Sequence, residues 1–98
     1  MSDLRFEWDA AKAAANLRKH GVSFEEALTV FSDERGLLRD DPDHSAREER
    51  FILLGVSAAL RTLVVVHCYR EARDTIRLIS ARKATHRERT AYDTRGQQ

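Results

Sequence analysis

Glu49, His67, Tyr69 and Arg77 supply a carboxylate, an imidazole, a phenol and a guanidinium, and strand patterning with symmetric hairpins is expected to gather them at one end of one sheet face. A phosphodiester of RNA breaks without a metal ion when three things are provided. A base takes the 2′-hydroxyl proton, a cation steadies the charge on the phosphate, and an acid protonates the departing 5′-oxygen. Histidine suits proton transfer because its ordinary pKa of ~6.5 lies near neutrality, and arginine presents a planar fork of donors to phosphate oxygens. The same four residues also read as a polar sheet edge in which Glu49 and Arg77 pair across strands.

Two further groups fit a polyanion. Lys12, Asn16, Lys19 and His20 recur at helical spacing, a pattern that suits phosphate tracking and equally an ordinary solvated helix face. Arg82, Lys83, His86, Arg87 and Arg89 cluster around the start of a C-terminal helix, where free N–H groups also favour anions; pairing with Glu88 and an acidic loop is the plain alternative. From Arg77 to Arg95 there are six Lys or Arg against Glu88 and Asp93. The acids concentrate instead in Asp3 to Asp9 and Asp33 to Glu49. Asp40 to Asp43 would repel RNA and is expected to bound the binding surface. His20, His44, His67 and His86 are far apart and no Cys or His pair has ligand spacing, so neither metal nor cofactor is expected. Glycine-rich phosphate loops and the nucleophile-elbow pattern are absent.

A chain of 98 residues has room for one hydrophobic core, and residues 1–98 are expected to form one domain with a polar tail from about 94. Charged residues make up 34% of the chain, above the usual ~25%, yet the net charge is only +1. Any signal for nucleic acid therefore lies in charge distribution. Cys68, the single cysteine, rules out an internal disulfide and fits a reducing compartment. No apolar run approaches ~20 residues and the N-terminus lacks a signal-peptide core, so a cytoplasmic protein away from membranes is expected.

The elements that position these groups follow from periodicity. Leu4, Phe6 and Trp8 alternate as a strand. Asp9 caps a helix over Ala10 to His20 that Gly21 ends. Ser23 and Glu26 form a capping box for a second helix to about Phe31, burying Phe24, Ala27, Leu28 and Phe31. A short strand at Leu37-Leu38 precedes the turn at Asp40-Asp41-Pro42-Asp43. Strands follow at about 49–57, 62–69 and 75–81, joined by links short enough for an antiparallel meander. Thr85 and Glu88 box the last helix, to about Asp93. The expected fold class is α+β, with an antiparallel sheet against N-terminal helices and a C-terminal helix. Phe51 to Val56 and Leu63 to Cys68, apolar on both faces, belong at its centre.

Symmetric hairpins put Arg50, Ile52, Leu54 and Val56 on one face with Val64, Val66, Cys68, Ile76, Leu78 and Ser80, and that face is expected to carry the helices. The other face then holds Glu49, Phe51, Leu53, Val65, His67, Tyr69, Thr75, Arg77 and Ile79. A one-residue slip in a hairpin dissolves the cluster.

Over nearly its whole length the sequence resembles the BrnT toxin family. The residues that carry the likeness are Phe6-Glu7-Trp8-Asp9, Lys12, Asn16, Lys19-His20-Gly21-Val22, Phe24-Glu25-Glu26-Ala27, Glu49-Arg50-Phe51, Ile79-Ser80-Ala81-Arg82-Lys83-Ala84, Glu88-Arg89 and Tyr92. The resemblance implies a RelE-like fold, ribonuclease activity, and neutralisation by a BrnA antitoxin bearing a ribbon-helix-helix DNA-binding module. It also implies a complex with two copies of each protein that reaches its promoter DNA through the antitoxin. Lys19, His20, Glu49, Arg50, Arg77, Arg82 and Tyr92 stand at family positions, whereas His67 and Tyr69 rest on the register argument. His67, Glu49, Arg77, Arg82, Tyr69 and His20 are thus the candidate catalytic residues, and Lys12, Lys19, Lys83, Arg87 and Arg89 the candidate RNA contacts. The competing class is a non-catalytic module or inactive homologue that only grips the antitoxin.

Overall fold

Capping chemistry sets the helix boundaries. In the computed structural model, which describes residues 4–41, 49–70 and 74–95, Asp9 accepts from the Ala11 amide at 2.9 Å and starts α1 (Ala10–His20). Gly21 ends α1 at φ 69°, a left-handed conformation that is cheap only without a Cβ, and its N–H bonds to Leu17 O. Ser23 caps α2 (Phe24–Leu28) through the Glu26 amide, and the chain then tightens into a 3₁₀ turn at Thr29–Ser32. The expected return bond from Glu26 is replaced: its carboxylate turns to Ser57 and Arg61, because a guanidinium is a stronger partner than an amide N–H. Thr85 and Glu88 form both halves of their box and start α3 (His86–Thr94).

The strands β1 (Arg5–Glu7), β2 (Leu37–Asp40), β3 (Phe51–Val56), β4 (Thr62–Arg70) and β5 (Thr75–Lys83) make one sheet in the order β1-β5-β4-β3-β2. The last four are the expected antiparallel meander, and β3 and β4 lie inside the sheet. The sheet as a whole is mixed, since β1 pairs parallel to β5; no hairpin links the two, so nothing forces them antiparallel. Of the acidic turn, Asp40 closes β2 and Asp41 is buried, while Pro42 and Asp43, like His44, lie outside the described residues. No helix of the described residues is long and apolar enough to cross a membrane.

The main core fills the face we call inner. Leu53, Leu63, Val65, Ile76, Leu78 and Ala81 pack there against Val22, Phe24, Ala27 and Val30 from the N-terminal helical layer. Asn16 pins α1 to this face: its Nδ2 donates to Val22 O at 2.9 Å and Ala81 O at 2.8 Å, and its Oδ1 accepts from Ala81 N at 3.1 Å. On the outer face a smaller cluster of Leu54, Val64 and Ala84 packs with Leu37, Ile52 and Tyr92 under α3. The N-terminal helices thus cover the face of Leu53 and His67, the reverse of the expected assignment. Both faces of β3 and β4 are apolar, so alternation alone does not say which one α1 and α2 cover.

A bulge completes the correction. Val66 pairs with Ser80 but His67 pairs with Leu78, which leaves Ile79 as the extra residue of β5. Beyond it the alternation of β5 inverts. Ile76 and Leu78 turn inward beside His67, while Arg77, opposite Cys68, turns outward.

Candidate nucleic-acid interface

Where α3 crosses the outer face it leaves a groove of about 300 Å³. Leu37, Ile52, Leu54 and Val64 floor it, Ala91 closes one side, and Arg39, Arg82, Arg87 and Glu88 supply its charge. An aliphatic floor edged by guanidinium groups accepts the apolar surface of a base and the charge of its phosphates together.

The strand positions Arg82: it pairs with Val64, so the alternation that puts Ala81 in the core points Arg82 at α3. Its Nη1 donates to Glu88 Oε1 at 2.8 Å and its Nη2 to Oε2 at 2.9 Å, a two-pronged pair. The Thr85 amide adds a third donor to Oε1 at 2.8 Å. The Arg82 hydrogen bonds, helped by Thr85, hold the Glu88 carboxyl down at about 2, and Glu88 in turn raises Arg82 above its ordinary value. Near the other end of β5, Arg77 Nη1 donates to Glu7 Oε2 at 2.9 Å, with Arg70 Nε 3.6 Å from the same oxygen.

The four-residue cluster drawn from symmetric hairpins does not form. His67 is 0% exposed on the inner face, with Phe31, Phe51 and Tyr69 rings around it at 4.8, 6.1 and 5.3 Å. Its Nδ1 lies 3.2 Å from Val65 O and its Nε2 3.3 Å from the Tyr69 hydroxyl, an arrangement for a neutral ring that donates to the carbonyl and accepts from the phenol. Burial pushes its pKa down to about 4. Tyr69 is half-buried beside it, Glu49 is exposed just before β3, and Arg77 faces the opposite side.

The remaining candidates divide across the sheet. Lys12 and Lys19 are exposed and His20 half-buried on α1, in the inner layer, while Asn16 is buried and structural. Lys83 is exposed at the end of β5, close enough to Glu26 for its charge to help lower that carboxyl after the larger effect of the Arg61 hydrogen bond. Arg87 lines the groove, and Arg89 ties its Nη1 to Ala84 O at 3.0 Å. The cations of α1 and Lys83 therefore lie on the inner side of the sheet, and Arg82 and Arg87 on the outer side.

Two contributors escaped the sequence reading. Arg39 joins the groove because β2 runs on to Asp40; it shares a strand face with Leu37, a signal that a strand read only at Leu37-Leu38 misses. Asp33 anchors α3: its Oδ2 accepts from the Tyr92 hydroxyl at 2.6 Å and from Val56 N at 2.8 Å. Gly55 permits this approach, since a Cβ there would stand 3.0 Å from Asp33 Oδ2 and 2.9 Å from Val30 Cγ1. No sequence motif announces so long-range a contact.

Comparison with known proteins supplies what geometry does not. A family model described as the ribonuclease toxin BrnT of type II toxin–antitoxin systems matches residues 8–88. The fold is similar to the crystal structure of the Brucella abortus ribonuclease toxin BrnT, with a TM-score of 0.62 and 21% identity over 85% of this chain and 99% of that one. No curated protein matches the chain.

Proposed function

The chain belongs to the BrnT family of ribonuclease toxins of type II toxin–antitoxin systems, and from that premise we propose that it cleaves RNA in the outer-face groove without a metal ion. The observation that carries this reading is the Arg82 fork, set by β5 at the edge of an aliphatic groove with Arg39 and Arg87 beside it. One base lies on the Leu37–Ile52–Leu54–Val64 floor while the arginines hold the flanking phosphates. The 2′-oxygen attacks the adjacent phosphorus, the 5′-oxygen departs, and guanidinium groups steady the charge that builds on the phosphate. The 2′-hydroxyl proton passes to water in the open groove, and water there returns a proton to the departing 5′-oxygen. His67 and Tyr69 shape the inner face in this reading and touch no substrate.

The activity is held in check in the cytoplasm by a BrnA-like antitoxin with a ribbon-helix-helix DNA-binding module, in a complex with two copies of each protein. DNA is contacted only through the antitoxin. An acidic antitoxin segment is complementary to the arginines of the groove and competes there with RNA. The test is cleavage of a defined RNA by purified protein in EDTA, together with induction of the chain alone. Growth arrest and EDTA-resistant cleavage are expected. Cleavage lost in EDTA and rescued by a divalent ion overturns the metal-free chemistry, and harmless induction with no cleavage favours a module that only binds the antitoxin.

A further inference from the structure

The groove already contains an anion of its own. The Glu88 carboxylate takes both prongs of Arg82 and the Thr85 amide, at 2.8, 2.9 and 2.8 Å. Three donors converging on two oxygens are the set that would bind two oxygens of a phosphodiester. Neither side chain is sealed in, with Arg82 43% and Glu88 31% exposed, so the carboxylate can leave by rotating its own side chain. The helix that carries it has no buried residue, and its far end is held separately by Tyr92 on Asp33 and by Arg95 on the Arg35 and Gly36 carbonyls. Exchange at Arg82 therefore leaves α3 docked.

Resting on the reading of the groove as the RNA site, we infer that Glu88 is a built-in occupant of the phosphate seat, and that an RNA phosphodiester binds by taking its place on the Arg82 guanidinium. Tethering keeps Glu88 at a high effective concentration, so a lone weak anion does not displace it. A strand that brings a base for the floor and further phosphates for Arg39 and Arg87 gains contacts that a small anion lacks. The carboxylate thus selects for polymer over mononucleotide, and it relieves the repulsion among three arginines while the groove is empty.

The experiment measures binding of a short single-stranded RNA carrying 2′-O-methyl groups, which blocks cleavage, to wild type, Glu88→Gln, Glu88→Asp and Arg82→Ala, with Glu88→Gln also placed in the Arg82→Ala background. Glutamine still serves a capping box, so the start of α3 survives while the competing charge goes. Aspartate keeps the charge but is one methylene too short for the two-pronged pair, which guards against a misfolded glutamine variant. Both should bind RNA about two- to five-fold tighter, the scale of losing one exposed ion-pair competitor, and the gain should vanish without Arg82. Unchanged or weaker binding by both variants, with wild-type melting curves, overturns the inference while leaving the groove as the RNA site. Wild type that binds no RNA, or Arg82→Ala that binds as well as wild type, refutes the reading of the groove itself.

Discussion

The two faces of the sheet treat polar side chains in opposite ways. On the inner face His67 is enclosed by rings, bonded to a backbone carbonyl and a neighbouring phenol, and held neutral. On the outer face Arg82, whose register partner Val64 lies three residues before His67 on β4, stays charged beside Glu88 at the mouth of a groove. A complete cover makes a polar group serve the fold, whereas a partial cover leaves it available to ligands. The sharpest way to break this contrast is to truncate one apolar residue in each layer. Phe24→Ala removes a fully buried ring and should cost about 3–5 kcal/mol in denaturant unfolding, whereas Leu37→Ala, half-buried at the groove, should cost about 1 kcal/mol and weaken RNA binding instead. Equal losses of stability would erase the distinction.

Next in size is the functional half of the contrast. Arg82→Ala should slow RNA cleavage about 10²–10³-fold, or about 3–4 kcal/mol of transition-state stabilisation, with only a small change in melting temperature. Arg5→Ala, exposed at the other edge of the sheet, should leave cleavage unchanged. Arg61 is a poor control despite its place in a hairpin link, because it binds Glu26 and the Gly21 carbonyl, so its replacement removes structural contacts along with the charge. Equal cleavage by the Arg82 and Arg5 variants would remove the groove from the mechanism.

On the inner face the corresponding prediction is one of pH. The His67 pKa falls from its ordinary 6.5 to about 4 in the folded chain, chiefly through burial. Between these values the unfolded chain binds a proton that the folded chain refuses, so stability is full above pH 6.5 and declines as pH falls towards 4. The loss across that window should reach about 3 kcal/mol. His67→Phe keeps a ring among Phe31, Phe51 and Tyr69 and should flatten the profile. A variant with the same slope would show that another group titrates.

His67 also marks where the sequence stopped being readable. Helix starts and stops were legible because caps are local: Asp9, Gly21 and Thr85 with Glu88 lie within a few residues of the N–H and C=O groups they satisfy. The meander and the interior places of β3 and β4 were legible from short links and two-sided apolar runs. The bulge at Ile79 was not, since a single unpaired residue leaves no mark on composition yet moves Arg77 to the other face and separates it from His67. Arg82 and Arg87 were found as charges near a helix start; that they share a groove with Arg39 depends on β2 folding against β3, a contact that no local pattern encodes.

The smallest expected effect probes how firmly the outer face is covered. The Tyr92 pKa is pushed up to about 12, by burial and then by the bond to Asp33, so the phenol remains a donor at any ordinary pH. Tyr92→Phe removes that one bond and leaves Asp33 its amide partners at Val56 and Arg35, so the cost should be about 1 kcal/mol. Because α3 buries no residue, this cost should appear locally: amide exchange should quicken along α3, while that of Val65 and Leu78 in the inner core stays the same. RNA binding should change little, since Arg82 and Arg87 stand towards the start of the helix, away from the loosened end. Uniformly faster exchange through β4 and β5 would mean that α3 and the inner core unfold as one unit, and the outer cover would then be as integral to the fold as the inner one.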